Sequence, residues 1–153
     1  MALFLVQHGK SLAKEMDPEK GLSEEGVSEV RRISEVAAGY GCKVDKISHS
    51  GKKRARQTAE IFESNLKPEK GVEKISGINP LDDVAAFSKT LSADDNVMLV
   101  GHLPFMERLT SYLIIGLTEP PVFKFQNGGM VCLDKLPDTQ NWTIKWALMP
   151  NIS

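Results

Sequence analysis

Two unbroken apolar runs stand out from a chain in which apolar and polar positions otherwise alternate with helical spacing: Leu3–Val6 and Val97–Val100. A short continuous apolar run is what a strand looks like when both faces of its sheet are covered, as in parallel α/β sheets. Each run stops beside a histidine, in Gln7-His8-Gly9 and in Gly101-His102. Between them the period changes. Val27, Val30, Ile33 or Ser34, and Ala37 recur at the spacing of a buried helix face, Ser23 is placed to cap it, Glu24 and Glu25 suit its first turn, and Gly39 and Gly41 end it. Lys43–Ser48 is short enough for a second strand, and Arg54–Asn65 repeats the helical pattern through Ala55, Thr58, Ala59 and Phe62.

Pro68–Asn79 is irregular, with room for a short strand near Val72–Ile75. Leu81–Leu91 has helical spacing through Val84, Phe87 and Leu91. Pro104 fits the first turn of a helix running to about Ile115, which Glu119-Pro120-Pro121 terminates. Val122–Gln126 and Met130–Asp134 flank Asn127-Gly128-Gly129, the pattern of a β-hairpin rather than of a site element. Pro137–Asn141 reads as a turn and Trp142–Leu148 as a last strand. Strands and helices that alternate early, followed by antiparallel strands, predict an α/β sandwich with a mixed sheet.

Length and composition narrow this without changing it. A chain of 153 residues favours one domain, residues 1–153, large enough to need no disulfide staple. Cys42 and Cys132 are therefore expected to be free thiols in a reducing, cytoplasmic setting. No stretch approaches membrane-spanning length. The formal net charge of −1 gives no global reason to expect nucleic acid or an anionic membrane as partner, so any anion site must be a local cluster of cations.

Such a cluster is present. If the strands are parallel, His8, His102 and the basic segment Ser50–Ala59 converge on one rim of the sheet, beyond the carboxyl ends of its strands, where open α/β sheets bind ligands. The helix starts after Lys53 and Pro104 add free N–H groups and positive dipole ends. Histidines, an arginine able to fork onto two oxygens and helix N-termini around one pocket make a phosphate site.

These residues carry a resemblance. Gln7-His8-Gly9 matches two of three positions of the Arg-His-Gly motif that opens the histidine phosphatase superfamily. Gly21–Gly26 is similar to its Leu-Thr-x-x-Gly helix opening, and Ser50–Ala59 to its Ser-Pro-x-x-Arg-Ala-x-Gln-Thr-Ala block, with Gly51 in place of proline. Leu99-Val100-Gly101-His102, with Pro104, matches the second histidine motif. The order of the motifs and the compact length resemble the small phosphohistidine phosphatases of the SixA type.

The resemblance implies a three-layer α/β/α sandwich: a mostly parallel central sheet with an antiparallel C-terminal hairpin. It implies that neutral His8 attacks phosphorus and becomes phosphorylated, with a backbone carbonyl holding its other ring N–H. Arg54 and a protonated His102 would then stabilise the equatorial oxygens, and Gln7 and Gly9 would complete the phosphate site. Neither a metal nor another cofactor is required. A His8/His49/His102 metal site lacks any carboxylate or cysteine at ligand spacing. The implied substrate is a phosphohistidine on another protein, met by a shallow, open site on a monomer.

The departure is Gln7, which keeps two N–H donors but lacks the charge and rigid fork of the family's arginine. Exchanging a charged for a neutral hydrogen bond weakens phosphate binding by about 1–3 kcal/mol. Lys10, Lys52 and Arg56 are the cations placed to compensate. Two alternatives follow. A small-molecule phosphomonoesterase or mutase-like enzyme acting on a phosphorylated metabolite would need Asp82 or Asp83 as proton donor to the leaving group. A low-activity module would bind phosphate or phosphoprotein without turnover. His49 has no motif role and reads as a surface or capping residue.

Overall fold

The computed structural model describes residues 2–152. Its centre is β1 (Leu3–Gln7), buried along its whole length. It lies between β4 (Val97–Gly101), which is parallel to it, and β5 (Met130–Lys135), which is antiparallel. β2 (Lys46–His49) pairs parallel with β4 on its other side, and β3 (Val72–Lys74) with β2. β6 (Trp142–Leu148) closes the far edge against β5. The six-stranded sheet has the order β3-β2-β4-β1-β5-β6, four parallel strands followed by an antiparallel pair. This is the mixed α/β sheet the alternation predicts.

Period-2 alternation along β1 divides the core. Phe4 and Val6 face α1 (Glu24–Gly39) and α2 (Lys53–Leu66), which contribute Val30, Ile33, Ala59 and Phe62. Leu3 and Leu5 face α3 (Val84–Ser88) and α4 (Phe105–Ile115), where Phe105, Met106 and Leu109 are fully buried. Two helices on each face make the three layers. Helix ends follow local chemistry. The Ser23 hydroxyl accepts from the Gly26 N–H at 3.0 Å, and Gly116, at φ +77°, caps α4 by donating its N–H to the Tyr112 carbonyl.

Two expectations need correction. Leu81–Leu91 forms a helix only over Val84–Ser88, because the Asp83 carboxylate caps it by accepting from the Ala86 N–H. Val122–Gln126 is not a strand, and Asn127-Gly128-Gly129 is not a hairpin turn. The hairpin lies one segment later, between β5 and β6, around Pro137–Asn141. β5, the strand with which residues 122–126 would form that hairpin, has one edge taken by β1 and the other by β6, and Phe125 is instead buried on the α4 side. Cys42 and Cys132 are both unpaired.

Candidate active site

The parallel register that sets Gln7 opposite Gly101 brings the ends of β1 and β4 side by side. The His8 N–H continues the ladder to the Gly101 carbonyl at 3.0 Å. His8 and His102, distant in sequence, therefore leave the sheet together, with ring centroids 5.0 Å apart.

Gly9 is wedged where the chain turns off the sheet. A Cβ there would lie 2.8 Å from Val30 Cγ2 and 3.3 Å from the Gly26 carbonyl oxygen, so only glycine lets α1 come this close. The Gly9 N–H donates to Thr58 Oγ1 on α2 at 3.0 Å, and its carbonyl faces His8 Nδ1 at 2.7 Å. A carbonyl only accepts, so Nδ1 carries the proton and Nε2 keeps its lone pair. Arg54, on the first turn of α2, donates from Nε to that Nε2 at 3.3 Å. Burial is the main cause that pushes the His8 pKa down to about 4, and the charges of Arg54 and Lys20 act in the same direction. His8 is a neutral imidazole at neutral pH, with its free lone pair turned toward the guanidinium.

A second clamp comes from the segment after α4. Asn127 Nδ2 donates to the His8 carbonyl at 3.1 Å. The Gly128 N–H reaches the carbonyls of Gln7, at 2.9 Å, and His8, at 3.2 Å. The turn expected to be a plain hairpin thus holds the backbone of the proposed nucleophile. Asn127, Thr58 and Ser50 are site residues that the sequence reading assigned no role. Thr58 and Ser50 lie inside the Ser50–Ala59 block, which was the available signal. For Asn127 only its neighbouring glycines marked anything, and they suggested the wrong structure.

His102 is buried more deeply, with 2% of its surface exposed. Its Nε2 lies 2.6 Å from Ser50 Oγ, while Nδ1 is buried without a partner. Burial first, then the neighbouring His8, Arg54 and Lys52, pushes its pKa down to about 3. The expectation of a protonated His102 is therefore not met by the residues alone. In this arrangement it is neutral at neutral pH, and an anion alongside would raise its pKa.

Gln7 is buried on the α4 face, and its Oε1 has no hydrogen-bond partner. His49 is buried rather than on the surface, and its Nδ1 accepts from the Gly51 N–H, a local turn contact. Asp82 and Asp83 are both spent on backbone caps, at Asn79 and Ala86. They line a cavity of about 1030 Å³ that contains none of His8, Arg54 and His102. Among the described residues no three of His, Cys, Asp and Glu stand close enough to hold a metal ion, and no helix is long and apolar enough to cross a membrane.

Comparison with known proteins identifies the family and the fold. The model of the histidine phosphatase superfamily (branch 1) matches residues 3–78, which include Gln7, His8, Gly9 and Arg54. The phosphohistidine phosphatase SixA of Escherichia coli K12 is 28% identical over 98% of this chain and 94% of its own. A solved structure of the protein histidine phosphatase SixA in complex with tungstate superposes with a TM-score of 0.83 at 26% identity, covering 98% of this chain and 97% of that one. A SixA structure from Agrobacterium tumefaciens gives 0.79 at 25% identity, covering 97% of each. On sequence, fold and the meeting of its two histidine motifs, the chain belongs to the histidine phosphatase superfamily, with the SixA proteins among its relatives.

Proposed function

We propose that the protein is a phosphatase that passes phosphate through His8, with phosphohistidine on another protein as its substrate. The observation that carries this is the His8 imidazole itself: Nδ1–H is held by the Gly9 carbonyl at 2.7 Å, and Nε2 is unprotonated and 3.3 Å from Arg54. A neutral imidazole with a fixed tautomer is a ready nucleophile. Its Nε2 lone pair forms a bond to phosphorus while the P–N bond to the substrate imidazole breaks. The departing nitrogen takes a proton from solvent. Water then attacks the phosphorus of phospho-His8, releases inorganic phosphate and returns the lone pair to Nε2.

Arg54 binds the equatorial oxygens, and His102 joins it, becoming protonated as the dianion arrives. Electrostatic stabilisation of this kind is the largest part of phosphoryl-transfer catalysis. The backbone N–H of Gly9 is already committed to Thr58, so its part is to shape the turn rather than to bind phosphate. Gln7 supplies neutral donors. No step calls on a metal. A relative solved with tungstate, a tetrahedral oxyanion, supports an oxyanion as the natural occupant.

The same site favours P–N over P–O substrates, because Asp82 and Asp83 are engaged as caps and, among the described residues, no carboxylic acid hydrogen-bonds to His8, where it would protonate an alkoxide. An imidazole leaves with less help. Brief reaction with ³²P-phosphoimidazole and acid-free quenching should leave base-stable, acid-labile label on the wild type and none on His8→Ala. Label that persists in His8→Ala would overturn the proposal, and absence of label from both proteins despite tight phosphate binding would favour a binding module.

A further inference from the structure

The cations around the mouth of the site fall into two groups. Lys10 is tied to Glu25 at 2.7 Å and to Glu29 at 3.5 Å, and Lys53 to Asp17 at 2.8 Å and to Glu19 at 3.8 Å. These are structural pairs that fasten the 10–22 loop to α1 and α2. Lys20, Lys52, Arg56 and Lys74 are exposed, and among the described residues none of them forms an ion pair.

All four border the segment that carries Ser50 and Arg54. The Lys52 N–H reaches Ser50 Oγ at 3.4 Å, and that hydroxyl lies 2.6 Å from His102 Nε2. Arg56 follows on the first turn of α2. The side chain of Lys74 lies across Gly51, where a Cβ would come within 2.5 Å of its Cε. Lys20 belongs to the loop that the Gly21 N–H and Lys53 pin to Asp17, and that the Leu22 N–H pins to Gln57 on α2. The charge of Lys20 is felt at His8 and that of Lys52 at His102.

We infer that Lys20, Lys52, Arg56 and Lys74 form a docking collar for an acidic protein surface that presents its phosphoryl group to His8. The inference rests on the reading of His8 as phosphoryl acceptor. Long, exposed stems hold these charges, and each solvent-exposed ion pair contributes little alone. A free phosphate cannot span several of them, whereas a folded partner engages them together. Charge of this kind acts on encounter and on partner choice, and it is screened by salt. The burial of a neutral Gln7 fits the same division: near the site, unpaired positive charge stands at the rim, where a protein can use it, while position 7 contributes none.

Two synthetic peptides of equal length, each with one phosphohistidine flanked by Asp and Glu or by Lys, test this beside phosphoimidazole. At low ionic strength the wild type should turn over the acidic peptide with kcat/KM about tenfold above the basic one, a preference that collapses near 1 M salt. In the K20E/K52E double variant the ratio of acidic- to basic-peptide kcat/KM should fall to one or invert; because the ratio is taken within one variant, any effect of the two charges on His8 and His102, read separately from phosphoimidazole turnover, cancels. K20Q/K52Q should give an intermediate preference. Equal rates on the two peptides, or a preference that survives charge reversal, would overturn the collar and leave His8 chemistry standing. Loss of phosphoimidazole turnover by the wild type would remove both readings. A single-stranded oligonucleotide that competes as well as the acidic peptide would also overturn the collar, by showing that the charges recognise polyanions in general.

Discussion

β1 and β4 end almost identically, Val-Gln-His-Gly beside Val-Gly-His, yet their histidines are prepared for different work. His8 is half-buried and has both ring nitrogens in contact with partners, a carbonyl on one side and a guanidinium on the other. His102 is fully buried, touches a serine hydroxyl, and has one ring nitrogen with no partner. The first is fixed by hydrogen bonds that select a tautomer. The second is held neutral mainly by loss of water, so its charge is free to respond to an incoming anion. Neighbouring strands of one sheet thus supply one imidazole with a fixed proton, the nucleophile proposed above, and a partner with an adjustable one.

Acid offers the strongest way to break that pairing. Both imidazoles have native pKa values below the ordinary 6.5, about 4 for His8 and about 3 for His102. Between these values and 6.5 the unfolded chain binds more protons than the native one, so native stability rises with pH across this window. It is fully present above about pH 6.5 and drains away as pH falls toward 4 and below. Each shifted unit corresponds to roughly 1.4 kcal/mol, so the two rings together account for a loss of the order of 5 kcal/mol, allowing for their mutual coupling. Urea unfolding from pH 7 to pH 4 should show this slope. Over this range His8→Gln and His102→Gln should each remove close to half of it; below pH 4 they should separate, with His8→Gln still losing stability toward pH 3 and His102→Gln not. A slope that neither variant flattens would mean that burial does not hold the two rings neutral.

Next in size is the guanidinium that only His8 contacts directly. Arg54→Ala removes, among the described residues, the one charged side chain within hydrogen-bond distance of the His8 ring. The loss of one preorganised donor at a developing oxyanion costs about 10²–10³ in rate, so a fall of at least ~100-fold in phosphoimidazole turnover is expected. Single-turnover kinetics should place the loss in formation of the phosphoenzyme rather than only in substrate binding. A change below about fivefold would mean that His102 already carries the charge, and that the asymmetry between the two strand ends lies elsewhere.

What could be read from the sequence follows the same asymmetry. The two histidine-ended strands were legible because each is a local signal, an apolar run with an abrupt stop, and parallel pairing then brings the stops together. Arg54 was legible because it opens a helix next to one of the stops. The clamp by Asn127 and Gly128 was not. Val122–Gln126 and Asn127-Gly128 satisfy hairpin chemistry locally, and only the pairing of β5 with β1 on one edge and β6 on the other denies them their partner strand. The charge state of His102 was equally hidden, since residue type gives an imidazole but not its burial. The helix α3 is shorter than its apolar spacing predicts for a third reason: Asp83 caps a helix that the spacing alone would start earlier.

The smallest expected effect concerns the residue between the two histidines. Gln7 stands opposite Gly101 in the ladder, one residue from each ring, on the face that packs against α4. Its buried Oε1 is unpartnered, so the present side chain leaves part of its bonding capacity unused. Gln7→Arg would extend the side chain and add a delocalised charge able to fork onto two phosphate oxygens. Competitive inhibition by tungstate or inorganic phosphate should tighten by about tenfold, close to 1.4 kcal/mol, with phosphoimidazole turnover rising by a similar or smaller factor. The peptide charge preference assigned to the rim should not change, because the added cation would lie beneath the phosphate and not around the partner. Weaker inhibition and slower turnover together would show that another group already occupies that position, and that the amide at residue 7 fits the site rather than impoverishing it.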